Sequence, residues 1–233
     1  MHKEMVSDSP VIQLYAFPDT YSIGVHLLLE EAAVPYRIVN PKLDPSQTDE
    51  AFYRASPHGR VPAIIMPDGT TLCESGAILL HLADGFSAQQ FTVAADSADR
   101  GRYLQWLFYL SSTLQPEVMI IFHPEYYSDD RTIQAELTAS AQTRLRQVLT
   151  VLEKQYQNRS WMFAKGPTAV DFALANVLLW PECFSDASKR YPSLALMLDA
   201  ISGRSSLKRI IQWHRGETDV PPQNHKFKSL EQE

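Results

Sequence analysis

The chain has 233 residues, of which 45% are hydrophobic, and its formal net charge is −6 at pH 7. This is the composition of a globular protein, and the length suits one large domain or two small ones. The acidic balance, with no Lys/Arg run longer than two residues, disfavours nucleic acid and anionic membranes as partners. The two cysteines lack Cys-x-x-Cys spacing, and no signal peptide or bilayer-long apolar run is recognisable, so we expect a reducing cytoplasm.

The first half of the chain mixes short strands with helices. Val25, Leu28, Leu29 and Ala32 follow the spacing of one helix face, and Pro67-Asp68-Gly69 is a tight-turn signal that predicts a hairpin. The predicted strands are 11–15, 36–39, 63–66 and 71–73, and the predicted helices are 20–33, 48–55 and 75–84. The order β-α-β-α-β-β-α contains a βαβ unit, which implies parallel strands and a right-handed crossover.

From about residue 95 the sequence changes to long helices. Apolar stripes with the helical period run from Tyr103 to Leu114 and from Leu137 to Tyr156. Further helices are predicted at 168–183, 194–201 and 207–214, with a linker at 85–95. The sequence therefore predicts an α/β domain at 11–86 and an all-α domain at 95–215, flanked by flexible polar tails at 1–10 and 216–233.

A proline, Pro62, lies directly before the third predicted strand and directly after Val61. Proline at the first residue of a strand is commonly structural, and most X-Pro bonds are trans. A cis bond before Pro62 would instead turn the N–H and C=O of Val61 outward, where they could pair with a short extended peptide. The local sequence by itself favours the structural interpretation.

An acid and a hydroxyl, Glu74 and Ser75, precede the helix predicted at 75–84. The plain interpretation is that Ser75 is an N-cap. The functional interpretation is an anion site, in which the helix N-terminus and the hydroxyl hold a carboxylate while Glu74 holds an ammonium group. Such a pair would recognise the head group of an α-amino acid, and capping alone does not explain the neighbouring acid.

Three hydroxyl residues, Thr20, Tyr21 and Ser22, lie between the first strand and the first helix. Thr20 or Ser22 as an N-cap is the plainer interpretation. A hydroxyl at a helix N-terminus would also stabilise a thiolate. Lowering the pKa of a thiol by two units takes about 2.7 kcal/mol, roughly what one charge-assisted hydrogen bond and a helix end supply.

The remaining motifs indicate no chemistry of their own. Thr168-Ala169-Val170-Asp171 has the pattern of a capping box that starts a buried helix. The seven histidines show no metal-ligand spacing, so we expect no metal. Neither a G-x-S-x-G motif nor a glycine-rich phosphate loop is present.

Taken together, these segments resemble the cytosolic glutathione S-transferase superfamily over roughly residues 11 to 215. The pattern S-P-x-G-R-V-P-A at 56–63, followed by E-S-G-A-I at 74–78, is similar to that family's glutathione-binding signature. LYAFPDTYSIGVHLLLEEAAVPY is similar to its first strand and helix. LQWLFYL, the T-x-x-D box and YPSLALMLDAISGRSSLKR are similar to its helical domain. Within the family, the residues of these segments are most similar to those of the bacterial nu-type or fungal prion-regulator-like branch.

The resemblance implies a thioredoxin-like first domain, an all-helical second domain and glutathione as co-substrate. Val61, before a cis Pro62, would offer its backbone to the cysteinyl residue of glutathione. Ser75 and Glu74 would hold the γ-glutamyl carboxylate and amine, and Arg60 could reach the glycyl carboxylate.

The resemblance also implies a second substrate and an assembly. A small hydrophobic electrophile or a disulfide would bind between the domains, near Trp106, Tyr109 and the segment Phe122–His123. The family further implies a homodimer, in which the first domain of one subunit lies against the second domain of the other.

The sequence does not identify a single residue that activates the thiol. Many relatives carry Ser, Thr or Cys in the turn after the first strand, whereas here Asp19, Thr20, Tyr21 and Ser22 fill that turn without a cysteine. We favour Thr20 or Ser22, with Tyr21 and, at the strand end, Tyr15 as alternatives. An acid at position 19 would oppose a thiolate. The missing cysteine argues against exchange through a protein thiol and leaves disulfide chemistry of glutathione itself open.

Three functions therefore compete. The first is a transferase that stabilises the glutathione thiolate and presents it to an electrophile or a disulfide. The second is a non-enzymatic regulatory or docking protein that keeps the fold without the chemistry. The third is a glutathione-dependent isomerase or dehalogenase, which differs from the first only in the electrophile.

Overall fold

The computed structural model of the chain describes residues 11–41, 49–86, 91–163, 166–184, 189–205 and 207–218. The tail predicted at 1–10 and most of the tail predicted at 216–233 lie outside these ranges, as do residues 87–90 of the predicted linker and residue 48 of a predicted helix. Across the described ranges, no helix is both long and apolar enough to cross a membrane.

A four-stranded mixed sheet forms the first part of the molecule. Its strands are β1 at Ile12–Tyr15, β2 at Tyr36–Val39, β3 at Ala63–Ile65 and β4 at Thr71–Cys73. They lie in the order β2-β1-β3-β4; β1 runs parallel to β2, whereas β3 is antiparallel to both β1 and β4. The parallel pair flanks a helix, which confirms the predicted βαβ unit, and β3 with β4 is the predicted hairpin.

Three helices cover the two faces of this sheet. They are α1 at Ile23–Glu31, α2 at Glu50–Ala55 and α3 at Ser75–Gly85. Strand alternation sorts the core between the faces. Leu14 and Ile64 belong to the large cluster that contains α1 and α3, whereas Tyr15 and Ala63 pack with Phe52 of α2.

The second part of the molecule is helical throughout the described residues. Its α-helices are α4 at Arg100–Tyr109, α5 at Gln115–Phe122, α6 at Arg131–Tyr156, α7 at Ala169–Leu178, α8 at Pro181–Phe184, α9 at Pro192–Ser202 and α10 at Lys208–His214. α7 is buried along its length and starts with the predicted capping box of Thr168 and Asp171. A thioredoxin-like sheet domain followed by a helical domain is the predicted fold.

A π-helical turn at Leu110–Leu114 joins α4 to α5. Pro116 lies near the start of α5, and proline has no N–H and clashes with the carbonyl four residues earlier, so regular α-helical bonding cannot pass through it. One wider turn accommodates this break, and such turns are frequent at functional sites. The buried stripe of α4 nevertheless runs on through this turn, since Leu110, Leu114 and Val118 all belong to one core cluster.

Two local predictions need correction. The helix predicted at 168–183 is two helices, because α7 ends at Leu178 and α8 starts at Pro181. A residue before proline is disfavoured in the helical conformation, so the chain turns at Trp180. The predicted N-cap Ser75 is instead the first residue of α3, and the cap position is Glu74, whose side chain makes no capping hydrogen bond.

The two parts of the molecule meet mainly where α1 packs against α7. A Cβ on Gly24 would lie 2.5 Å from the carbonyl oxygen of Phe172, so glycine permits the close approach of the two backbones. The Gly24 N–H donates to Asn176 Oδ1 at 2.7 Å. This contact fixes the turn that precedes α1 relative to the helical domain.

Candidate active site

The catalytic and glutathione-binding residues predicted from the sequence come from three separate segments that the sheet brings together. Tyr15, the last residue of β1, pairs with Ala63, which in turn pairs with Cys73. The turn after β1, the loop before β3 and the junction of β4 with α3 therefore meet at the same end of the sheet. Glutathione is predicted to bind at this end of the sheet, which is called the edge of the sheet below.

The loop before β3 is held by the buried hydroxyl of Ser56. This hydroxyl donates to the carbonyl of Arg60 at 2.7 Å and accepts from the N–H of Arg60 at 2.9 Å. Gly59 has a left-handed φ of 63°, which permits the tight return of the chain. The Val61–Pro62 bond that follows is cis.

The junction of β4 with α3 has an unusual backbone at Glu74. Its φ of 68° lies in the left-handed region, which is costly for a residue with a side chain and is met most often at functional sites. The Glu74 side chain is exposed, whereas Ser75 is largely buried at the first turn of α3. The exposed carboxylate thus stands beside the N-terminal amides of an eleven-residue helix.

The turn after β1 carries a pair of bonded hydroxyls. Thr20 Oγ1 lies 2.8 Å from Ser22 Oγ and donates to the carbonyl of Phe17 at 2.8 Å. Because the Thr20 proton goes to Phe17, the hydrogen bond between the two hydroxyls is donated by Ser22. Ser22 occupies the N-cap of α1 but makes no capping bond, and it is fully buried behind Thr20.

The two tyrosines considered as alternatives are placed differently from these hydroxyls. The Tyr21 hydroxyl is buried without a hydrogen-bond partner among the described residues, and burial together with nearby Cys183 raises its pKa far above the usual value. Tyr15 packs its ring on Phe52, on the α2 side of the sheet, and burial followed by the charge of Asp49 raises its pKa. Both phenols therefore resist ionisation.

Asp19 links the same turn to the helical domain. Its carboxylate accepts a hydrogen bond from the indole N–H of Trp180 at 2.6 Å. The backbone of Asp19 is also left-handed, with a φ of 56°, a conformation that aspartate tolerates better than most residues. The Trp180 ring in turn meets Tyr21 and Phe122 edge-on, at centroid distances of 5.1 and 5.3 Å.

A cavity of about 460 Å³ opens between the two domains beside this turn. Its walls are largely aromatic and aliphatic, with a few polar groups at the rim. The lining residues are Phe17, Asp19, Thr20, Tyr21, Gly59, Arg60, Val61, Gln115, Val118, Met119, Phe122, His123, Tyr126 and Trp180. This size and character suit a small, largely apolar ligand with one or two polar contacts.

The predicted site residues divide into three groups by position. Thr20, Tyr21, Arg60, Val61 and His123 line the cavity. A second group, outside the lining, lies at the same edge of the sheet and consists of Ser22, Pro62, Glu74 and Ser75.

Trp106 and Tyr109 form the third group, away from the cavity. Their rings contact each other at 5.2 Å, and Trp106 is part of the core. The structure therefore brings His123 to the cavity but not these two residues of the predicted second-substrate pocket.

Three lining residues of α5, Gln115, Val118 and Met119, were not predicted, whereas Phe122 belongs to the predicted segment Phe122–His123 and does line the cavity. Counted from Gln115, the other three lie three, four and seven positions on, so all four share one helix face. The sequence shows this spacing, but it does not show that the face lines a cavity between the domains. Nothing in the local sequence marks Trp180 as a site residue, because its partner Asp19 lies 161 positions away in the chain.

Two family models match the chain, and together they cover most of it. The N-terminal domain of glutathione S-transferase matches residues 10–84, and the C-terminal domain of glutathione S-transferase matches residues 119–212. The chain belongs to the glutathione S-transferase family.

Among characterised relatives, the glutathione S-transferase GstA of Escherichia coli O157:H7 is 25% identical over 171 residues, covering 72% of this chain and 82% of that protein. The disulfide-bond oxidoreductase YfcG of Escherichia coli K12 is 29% identical over 178 residues, covering 73% and 78%. Identity at this level is too low to carry over a particular substrate.

Solved structures agree on the fold. A sphingomonad glutathione S-transferase complexed with glutathione has a TM-score of 0.74 at 27% identity, covering 87% of this chain and 98% of that one. Ure2p in complex with glutathione has a TM-score of 0.74 at 21% identity, covering 88% and 100%. The likeness to Ure2p supports the predicted resemblance to the prion-regulator-like proteins at the level of the fold.

Proposed function

We propose that the protein binds glutathione across the edge of its sheet and presents the thiolate to a small hydrophobic electrophile in the adjoining cavity. The observation that carries this proposal is the convergence of the Thr20 turn, the Arg60–Val61 loop and the Glu74–Ser75 junction at one end of the sheet. Two of these three segments line the cavity. A tripeptide bound across the edge would therefore reach the cavity with its sulfur.

Each part of glutathione has a chemical partner at this edge. Val61, in the loop fixed by Ser56, would pair its backbone with the cysteinyl residue, as in strand addition. The amides at the start of α3 and the Ser75 hydroxyl would hold the γ-glutamyl carboxylate. Glu74 would hold the ammonium group and Arg60 the glycyl carboxylate, both through charge-assisted hydrogen bonds.

Thr20 is the hydroxyl that we assign to the sulfur. It lines the cavity, whereas Ser22 is buried behind it. When Thr20 turns its proton from the Phe17 carbonyl to the sulfur, its oxygen still accepts from Ser22. The donor to the thiolate thus keeps a hydrogen bond on its own oxygen, which strengthens the contact through polarisation of the pair.

A second activity is favoured by one comparison, the 29% identity to a disulfide-bond oxidoreductase. In that reaction the glutathione thiolate would attack a mixed disulfide, forming one S–S bond while the other breaks and its thiolate leaves. No cysteine stands in the turn 16–22 to take part. The bound glutathione would therefore be the attacking thiol.

We further propose a homodimer located in the cytoplasm, as family membership and the absence of Cys-x-x-Cys spacing suggest. Sedimentation of the purified chain tests the assembly, since a monomer at micromolar concentration would exclude it.

Titration calorimetry with glutathione tests the binding site. The wild-type chain is expected to bind, and Ser75→Ala is expected to weaken binding about tenfold, because a hydrogen bond to a charged group is worth about 1.5 kcal/mol or more. Ser112→Ala is the matched control, since that exposed hydroxyl bonds only the Phe108 carbonyl at 2.7 Å. An absence of binding at millimolar glutathione would refute the proposal.

A further inference from the structure

A histidine at the rim of the cavity is held by two neighbours. His123 Nδ1 lies 3.1 Å from Glu125 Oε1, and its ring stacks on Tyr126 with a centroid distance of 4.9 Å and an interplanar angle of 9°. His123 and Tyr126 both line the cavity. Stacking fixes the plane of the imidazole, and the carboxylate fixes its rotation, so the group is oriented before any ligand arrives.

The hydrogen bond to Glu125 also decides which ring nitrogen is available. An ionised carboxylate only accepts, and a hydrogen bond from its own backbone amide, followed by the one from His123, lowers the pKa of Glu125. The proton in this contact is therefore on Nδ1. Nε2 makes no hydrogen bond to any described residue and remains to exchange a proton with a ligand or with water.

We infer that His123 donates a proton through Nε2 to the second substrate, and that this substrate is a planar aromatic compound with a conjugated carbonyl group. The inference rests on the proposed function and narrows it. Aromatic walls such as Phe122 and Trp180 suit a flat ring. A proton donor at the rim helps addition to a conjugated carbonyl, where charge develops on oxygen, and gives no comparable help to substitution of a halide.

The reaction needs only glutathione, the enone and His123. The thiolate sulfur of glutathione forms a bond to the β-carbon of the enone, and the π pair of the C=C bond moves through the carbonyl to its oxygen. In its imidazolium form, with a proton on each ring nitrogen, His123 gives the Nε2 proton to that oxygen, and the enol then becomes the ketone. His123 recovers the proton that glutathione released to solvent, since its side chain is 44% exposed. The net change is addition of S–H across the C=C bond.

Steady-state kinetics with two electrophiles test the inference. Benzylideneacetone has the aryl enone, and chlorodinitrobenzene reacts by substitution. His123→Phe keeps a ring to stack on Tyr126 but has no proton to donate. With benzylideneacetone we expect kcat to fall roughly 100-fold, the usual range for loss of a general acid, and at least about tenfold further than with chlorodinitrobenzene. The solvent deuterium effect on the enone reaction should disappear in this variant.

Two further variants complete the design. Glu125→Gln should lower the enone rate less, roughly three- to tenfold, because the ring keeps its stacking partner. His81→Gln, an exposed histidine of α3, should change neither rate. Equal losses with both electrophiles in His123→Phe, or none, would overturn the inference while the transferase proposal stands. No turnover of either electrophile, with no glutathione binding, would overturn both.

Discussion

The Asp19 carboxylate and the Trp180 indole are joined by a 2.6 Å hydrogen bond that links the β1–α1 turn to the helical domain. The turn holds Thr20, and the indole also forms part of the cavity wall. The hydroxyl assigned to the thiol is thus positioned by a residue of the other domain. Asp19 would otherwise place an unpaired negative charge close to the thiolate, and the indole N–H compensates part of that charge.

Trp180→Phe is therefore expected to impair catalysis more than stability. Phenylalanine keeps an aromatic wall but cannot donate to Asp19, so the turn loosens and the acid repels the thiolate. We expect kcat/KM for chlorodinitrobenzene to fall roughly tenfold, since a hydrogen bond to a charged group is worth about 1.5 kcal/mol. Trp161→Phe, outside the cavity lining, is the matched control. A similar loss in both variants would contradict this role for Trp180.

Ser22→Ala tests the second hydroxyl. Its removal leaves the oxygen of Thr20 with only the long, 3.4 Å bond from the backbone N–H of residue 22, so the pKa of the thiol of bound glutathione should rise by roughly one unit, equivalent to about 1.4 kcal/mol. Thiolate absorbance followed against pH in the complex measures this. Thr20→Ala should raise the thiol pKa further, and Thr20→Ser should restore most of the effect. If Ser22→Ala leaves the thiol pKa unchanged, the hydroxyl pair has no part in activation.

The fold, and the end of the sheet where the proposed glutathione-binding residues meet, were largely predictable because their signals are local. The Pro67-Asp68-Gly69 turn, the periodicity of α1 and the segment from Arg60 to Pro62 each fit within about ten residues. The sheet then requires these segments to meet at one edge. Family resemblance supplied the role of the proline, which the local sequence alone had left as structural.

What could not be predicted depends on contacts between distant residues. Whether one face of α5 lines a cavity depends on how the two domains pack, and the partner of Asp19 is a tryptophan of the other domain. Pro181 is a helix-stop signal that the sequence does contain. The helix was nevertheless predicted to continue to residue 183, because the residues before Pro181 are apolar. Of the two predicted pocket residues on α4, Trp106 is buried in the core, and the half-buried Tyr109 packs against its ring.

Ser56→Ala tests the loop that presents Arg60 and Val61. The Ser56 hydroxyl makes two hydrogen bonds to the backbone of Arg60 and is buried. Its loss should cost about 1–3 kcal/mol of unfolding free energy, the usual penalty for unsatisfied buried groups, and should raise KM for glutathione with little change in kcat. Urea unfolding and glutathione kinetics measure these effects. Unchanged KM would show that the loop needs no such support.

The buried end of α10 gives a prediction for the pH dependence of stability. The Tyr36 hydroxyl donates to Glu30 at 2.8 Å, so His26 Nε2 must donate to the Tyr36 oxygen, which lies at 2.9 Å. Neutral His26 then accepts at Nδ1 from His214 Nε2, at 3.2 Å. His214 Nδ1 is buried without a hydrogen-bond partner among the described residues, and burial lowers the pKa of His214 to about 3.

Because the unfolded chain binds a proton at His214 near pH 6.5, and the folded chain does so only near pH 3, the contribution of neutral His214 is complete above pH 6.5. It is lost progressively as the pH falls through the interval between these values, with a slope of up to about 1.4 kcal/mol per pH unit. His214→Gln keeps a donor for His26 and cannot titrate. Between pH 6.5 and 5 the wild type should therefore lose about 2 kcal/mol more unfolding free energy than this variant. Urea unfolding at several pH values measures the difference, with exposed His81→Gln as control, and parallel curves for wild type and His214→Gln would refute a buried neutral His214.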